Sequence, residues 1–314
     1  MKRPNPWVVY IIGVLLVALA PIGLYSFLDP ERRDLDASAR EEAPGRFVKL
    51  SDGYTHYEIR GPENGRVVVL AAGYSVPYYI WDPTYAALVN DGFRVLRYDY
   101  FGRGYSDRPD IAYTHDLYVR QLRELLDAAG ITEPIDLAGL SFGGSIVTTF
   151  ADRNPTRVRS LIYVDPSFRT PSPVPALAYL PGAWNFLTVL FAQGAWAEQQ
   201  LGDFLHPERF PDWPDRYRVQ MRYRGFRRAR LSELVNNSGM DQDEELKRVG
   251  AHDRRVFVIW GKEDQNVPFD LHEHLLMAMP RARLLAVESA GHLPQWEQPA
   301  IVNSGLIAFL RQTS

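Results

Sequence analysis

Three residues able to do nucleophilic chemistry stand in order along this 314-residue chain: Ser141, Asp264 and His292. Ser141 lies in Gly139-Leu140-Ser141-Phe142-Gly143, with Gly144 next. A serine hydroxyl is a weak nucleophile until a base takes its proton and a third group orients that base. A bare G-x-S-x-G arises by chance in roughly one chain of this length in ten. The pattern alone decides nothing, and its surroundings must.

Those surroundings are elements able to hold such residues. "IDLAGL" (135–140) is an apolar run expected as a buried strand, and "SIVTTFADRNP" is expected as a helix ended by Asn154-Pro155. Ser141 then sits on a strand-to-helix turn, where flanking glycines relieve clashes and the helix N-terminus points N–H groups at the same spot. Asp264 follows the strand-like run "RVFVIWG" (255–261), and His292 follows "ARLLAVESAG" (282–291). Both fall in loops at strand carboxyl ends, where open α/β sheets put their chemistry. Glu263 and Asp165 are the rival acids. Asp99 reads as a brace for its loop, and Arg103 as a loop brace rather than a substrate contact. The remaining histidines (His56, His115, His206, His252, His272, His274) show no pairing and read as surface or structural. His272 and His274 are two apart on an expected helix and would not share a face for a metal.

Other apolar runs complete the architecture. "RFVKL" and "THYEIRG" flank the turn Ser51-Asp52-Gly53-Tyr54 and suggest a hairpin. "RVVVLAAG" (66–73), "RVLRYDY" (94–100) and "VRSLIYVD" (158–165) are continuous rather than alternating, as strands covered on both faces should be. Leu117, Leu122, Leu125, Leu126 and Ala129 mark an apolar helical stripe that stops at Gly130. The order predicts an α/β fold: a doubly wound, mostly parallel eight-stranded sheet. No strand is expected between Asp165 and Arg255, and residues 166–250 read as an inserted helical cap. The core is then 46–165 with 251–314.

With these motifs in place, the chain resembles the α/β-hydrolase superfamily over roughly residues 46–312. "AAGYS" (71–75), "DYFGRGYSDRP" (99–109), "GLSFGG" (139–144) and "WGKEDQNVP…AGHLPQWEQP" (260–299) carry the resemblance. It implies Ser141 as nucleophile, His292 as general base and acid, and Asp264 as the group that holds the imidazole. It implies an oxyanion hole from the backbone N–H groups of Tyr74 and Phe142. Family members often read His-Gly where this chain has Ala72-Gly73, a departure that still leaves a backbone donor possible, since Gly73 allows the turn. A serine nucleophile argues against relatives that use aspartate there.

Composition narrows the rest. With no cysteine, thiol chemistry, disulfides and cysteine-bound metals are excluded. A net charge of −3 gives no argument for nucleic acid. No cofactor or metal is suggested. Trp7 to Leu28 is 22 residues without a charge, preceded by Lys2 and Arg3, and it reads as an N-terminal transmembrane helix (1–28). Asp29 to Glu42 carries six acids and three arginines, so the positive-inside bias puts the N-terminus in the cytoplasm and the hydrolase domain outside. Cleavage after Ala18-Leu19-Ala20, giving a secreted protein, is the rival, disfavoured by Pro21. Residues 29–45 read as a linker. The cap holds an apolar stretch (176–196) and "RYRVQMRYRGFRRAR" (216–230) with seven arginines and no acid, either a solvated face or an attraction to anionic head groups. The function expected is a membrane-anchored serine hydrolase of carboxylic esters with hydrophobic acyl groups, its substrate a small-molecule or lipid ester. A carbon–carbon bond hydrolase, thioesterase or acyltransferase on the same triad is the alternative, and a ligand-binding receptor a more distant one.

Overall fold

The eight apolar runs form eight strands: β1 (Arg46–Leu50), β2 (Gly53–Arg60), β3 (Val67–Ala71), β4 (Arg94–Tyr98), β5 (Ile135–Leu140), β6 (Val158–Val164), β7 (Arg255–Gly261) and β8 (Arg283–Val287). The computed structural model describes residues 5–170 and 174–312, without the side chains at eight positions in the N-terminal helix. The strands make one sheet in the order β1-β2-β4-β3-β5-β6-β7-β8. β2 pairs antiparallel with β1 and β4, and the other pairings are parallel. Every residue of β3 and β5 is buried, which is why those runs do not alternate.

Helices cover both faces. Before the sheet come α1 (Pro6–Leu28) and α2 (Ala37–Glu42); between strands lie α3 (Asp82–Asn90), α4 (His115–Ala128) and α5 (Phe142–Arg153). The cap region contributes α6 (Pro181–Phe191), α7 (Trp196–Gln199), α8 (Trp213–Met221), α9 (Phe226–Asn236) and α10 (Asp243–Ala251), and α11 (Leu271–Ala278), α12 (Pro294–Glu297) and α13 (Pro299–Arg311) follow. α4 shows why such segments are helical. The Thr114 hydroxyl accepts the Leu117 N–H at its start, and Leu117, Leu122, Leu125 and Leu126 bury one face. Each buried leucine contributes about 1.5–3 kcal/mol.

Two N-terminal expectations meet a different structure. α1 is helical over 23 residues, about 34 Å of rise. Trp7, Tyr10, Leu19 and Phe27 on it are exposed, and Tyr25 stacks on Phe186 of α6 at 5.7 Å. Among the described residues no helix is long and apolar enough to cross a membrane. The expected transmembrane helix thus has no support there, eight of the α1 side chains lying outside the described residues. Residues 29–45 are not a free linker: they dock on the arginine-rich stretch. The Arg33 N–H donates to the Arg222 carbonyl and the Arg224 N–H to the Arg33 carbonyl, both at 2.9 Å. The Glu31 carboxylate accepts the Gly225 and Arg227 N–H groups, and Arg227 holds Asp29 at 2.6 Å.

Candidate active site

The turn between β5 and α5 bends as the glycines require. Ser141 has φ +52° and ψ −121°, a strained conformation for a residue with a side chain. A Cβ at Gly139 would meet the Gly143 carbonyl oxygen at 2.4 Å, and one at Gly143 would meet the Ala72 oxygen at 2.5 Å. Only glycine lets the strand, the turn and the neighbouring loop approach this closely. The Ser141 N–H donates to Val164 O at 2.9 Å, tying the turn to β6.

His292 and Asp264 arrive from two loops. His292 Nδ1 and Asp264 Oδ2 are 2.7 Å apart, both residues buried. The other Asp264 oxygen accepts the Asn266 and Val267 N–H groups, which fixes the carboxylate. Burial opposes the imidazolium, but the hydrogen bond and charge of Asp264, with Asp203 behind, outweigh it and raise the His292 pKa. Ser141 and His292 line one cavity of about 290 Å³, with Tyr74, Asp203 and Arg230 on its walls.

The rival acids lie elsewhere. Glu263 is turned to the Ala290 N–H. Asp165 is fully buried at φ +42° and accepts the Gly261 N–H with one oxygen; among the described residues the other has no hydrogen-bond partner. Burial and the nearby Asp264 charge push its carboxyl well above the usual range. Asp165, Asp264 and His292 bring their polar atoms within 4.8 Å of one another, close enough for a metal. The His292–Asp264 hydrogen bond accounts for two of the three, and Asp165 lies beside that pair.

Tyr74 and Phe142 are neighbours, their rings edge to face at 6.2 Å. Among the described residues neither backbone N–H has a hydrogen-bond acceptor, and Tyr74 lines the cavity. Arg103 braces this loop: its guanidinium donates to the Gly73 carbonyl at 2.5 Å and pairs with buried Glu233. Asp99 braces the next, accepting the Tyr78 N–H at 2.7 Å and the Tyr105 N–H at 3.0 Å. His56 is a correction, since it is buried and bonded to Asp99 at 2.7 Å rather than unpaired. His274 also pairs, with Asp243 at 2.8 Å. Burial drives His115 down to about 4, so it is neutral at physiological pH. The motifs missed Asp203 and Arg230, both from the cap, where only the arginine-rich composition gave a signal.

The geometry matches a known group of proteins. Residues 68–304 match the alpha/beta hydrolase family. The 2-hydroxy-6-oxononadienedioate/2-hydroxy-6-oxononatrienedioate hydrolase 1 of Dechloromonas aromatica (strain RCB) is 28% identical over 294 residues, covering 86% of this chain and 96% of that protein. A thermophilic esterase from Thermogutta terrifontis superposes with a TM-score of 0.73 at 23% identity, over 85% of this chain and 98% of that one. A structure described as a membrane phospholipase A, a bacterial virulence factor, superposes with a TM-score of 0.69 at 20% identity, over 96% of this chain and 95% of that one. With a strained serine turn, a bonded histidine–aspartate pair and a family match over most of its length, the chain belongs to the alpha/beta hydrolase family.

Proposed function

We propose that this protein is a membrane-anchored serine hydrolase of carboxylic esters with hydrophobic acyl groups. The observation that carries the chemistry is that His292, bonded to Asp264 behind it, lines one cavity with Ser141. With its Nδ1–H given to Asp264, the imidazole presents Nε2 as a base. Ser141 Oγ attacks the ester carbonyl while Nε2 takes its proton. The carbonyl oxygen becomes an oxyanion held by the Tyr74 and Phe142 N–H groups, each such donor worth about 2.7–4 kcal/mol. Collapse breaks the bond to the alcohol, which leaves with the proton from His292. Water then repeats the sequence on the acyl-enzyme and releases the acid.

The anchor reading rests on the charge-free run from Trp7 to Leu28 and on the likeness, over 96% of this chain, to a structure described as a membrane phospholipase A. The cap beside α1 adds exposed Tyr179, Leu180 and Phe191, an apolar face suited to lipid. The hydrolase domain then lies outside, with the N-terminus cytoplasmic.

The test is hydrolysis of 4-nitrophenyl esters from acetyl to palmitoyl by the full chain in detergent, beside Ser141→Ala. Loss of about 10³-fold or more in the variant is the expected result. A variant of full activity overturns the nucleophile. A profile peaking at acetyl, with no activity on lipid esters, overturns the hydrophobic acyl group. A second reading, favoured by the 28% identity to the Dechloromonas hydrolase, is hydrolysis of 2-hydroxy-6-oxononadienedioate, and turnover of that compound in place of esters would establish it.

A further inference from the structure

Seven arginines lie between Arg216 and Arg230, and the structure gives five of them carboxylate partners. Arg222 is exposed. Arg230 differs from both groups. It is only partly exposed and lines the cavity that holds Ser141 and His292. Among the described residues it has no carboxylate partner and one hydrogen bond, from Nη1 to the Tyr217 hydroxyl at 2.9 Å. A guanidinium carries five N–H donors, so most of its donor edge is unused. Two aromatic faces restrain it, Trp196 at 4.4 Å and Tyr74 at 5.3 Å from the guanidinium carbon.

The surrounding charges do not neutralise it. Glu233, three residues on along α9, is engaged by the Arg103 guanidinium and by the Tyr118 hydroxyl rather than by Arg230. Asp203 belongs to the other wall, where its carboxylate accepts the Asn266 amide at 2.7 Å and its backbone oxygen accepts the His292 N–H at 2.9 Å. The cavity is therefore polarised, cationic beside the Tyr74 loop and anionic beside His292. A cation with unused donors in a partly desolvated site is costly until an anion meets it. A guanidinium fork fits carboxylate and phosphate oxygens in pairs.

We propose that Arg230 binds an oxyanion carried by the substrate, so that the preferred ester is anionic, bearing a carboxylate or a phosphate a few bonds from the scissile carbonyl. This rests on the ester-hydrolase reading and specifies its substrate. Without such an anion, Arg230 would serve only to brace Tyr217 and Trp196.

The experiment compares monoethyl glutarate with ethyl pentanoate, which match in chain length and differ in charge, by ethanol release from the full chain in detergent. The wild type should favour the glutarate ester by roughly 10- to 100-fold in kcat/KM, the range of a charged hydrogen bond. Arg230→Gln should erase that preference, the loss falling on the KM of the glutarate ester, while Arg230→Lys restores part of it. Glutarate and glycerol 3-phosphate, each tested as an inhibitor of ethyl pentanoate hydrolysis, separate a carboxylate from a phosphate preference; both should weaken in Arg230→Gln. Equal use of the two esters by the wild type, or equal loss on both in Arg230→Gln and Arg230→Lys, overturns the proposal. If neither ester is hydrolysed, the ester reading fails. Thermal stabilisation of the wild type but not Arg230→Gln by glutarate or glycerol 3-phosphate then still reports the anion site, and its absence overturns that too.

Discussion

His292 sets the pH at which the proposed mechanism runs. The base works only when neutral, and Asp264 holds the imidazolium above its ordinary 6.5. Activity should therefore be low in acid and climb with pH through a midpoint above 6.5. Asp264→Asn should move that limb to lower pH and cut kcat by about 10⁴-fold, both read from a pH–rate profile. Asp165 gives a second prediction with a definite sign. Its folded pKa lies well above 3.8, so between the two values the folded state holds a proton that the unfolded state has released. Stability then falls as pH rises through that window. Asp165→Asn keeps the acceptor for the Gly261 N–H and removes the titration. Its melting temperature should overtake the wild type's progressively as pH rises above about 4, and parallel melting curves would show that Asp165 does not titrate there. Ser141, Asp264 and His292 were legible because each sits beside a local motif at a strand end. Asp203 and Arg230 were not, because they reach the cavity from cap segments whose sequence carries no chemistry of its own. His56 was missed for a related reason: its partner Asp99 is 43 residues away.

At the level of elements, the glycines around Ser141 are fixed by backbone rather than by flexible side chains. Gly143→Ala would place a methyl 2.5 Å from the Ala72 oxygen and 2.6 Å from the Ala71 oxygen, in the middle of the sheet. It should cost several kcal/mol or prevent folding, in the range of the severest single substitutions. Gly182→Ala, in the first turn of α6 with nothing within 4 Å, should be neutral or stabilise by up to about 1 kcal/mol. Urea unfolding of the two variants tests the contrast. The strands and α4 could be read from sequence because burial imposes runs, stripes and caps on them. The cap helices resisted because they are short and packed by scattered aromatics such as Phe204, Phe210 and Trp213, whose rings meet one another across turns rather than at helical spacing.

Over the whole molecule, residues 29–45 were read as a linker because a charged segment looks the same whether solvated or paired. Its partners, Arg222 to Arg227, lie about 190 positions further along the chain, and no local pattern announces them. The pairing is partly buried: Asp29 is desolvated, yet Arg227 holds its carboxyl below the usual value. Arg227→Ala should release the segment, seen as faster limited proteolysis between residues 29 and 45 with the α/β core left intact. Unaltered cleavage would mean that the backbone bridge through Arg33 suffices.

The docking of α1 also ties the N-terminal helix mechanically to the cap. Tyr25 stacks on Phe186, and Asp29, one residue past the end of α1, is bonded to Arg227, so α1 and the cap share a joint with no slack. The cap is in turn packed on the core: Trp213 meets Tyr79 at 5.4 Å and Trp296 at 5.0 Å, Glu233 pairs with Arg103, and Gln220 bonds to the Ser75 carbonyl and the Gly104 N–H. Whatever grips α1 grips the cap with it. Cap and core share one packed interior, so a pull on α1 is carried through the cap to the loops around Ser141.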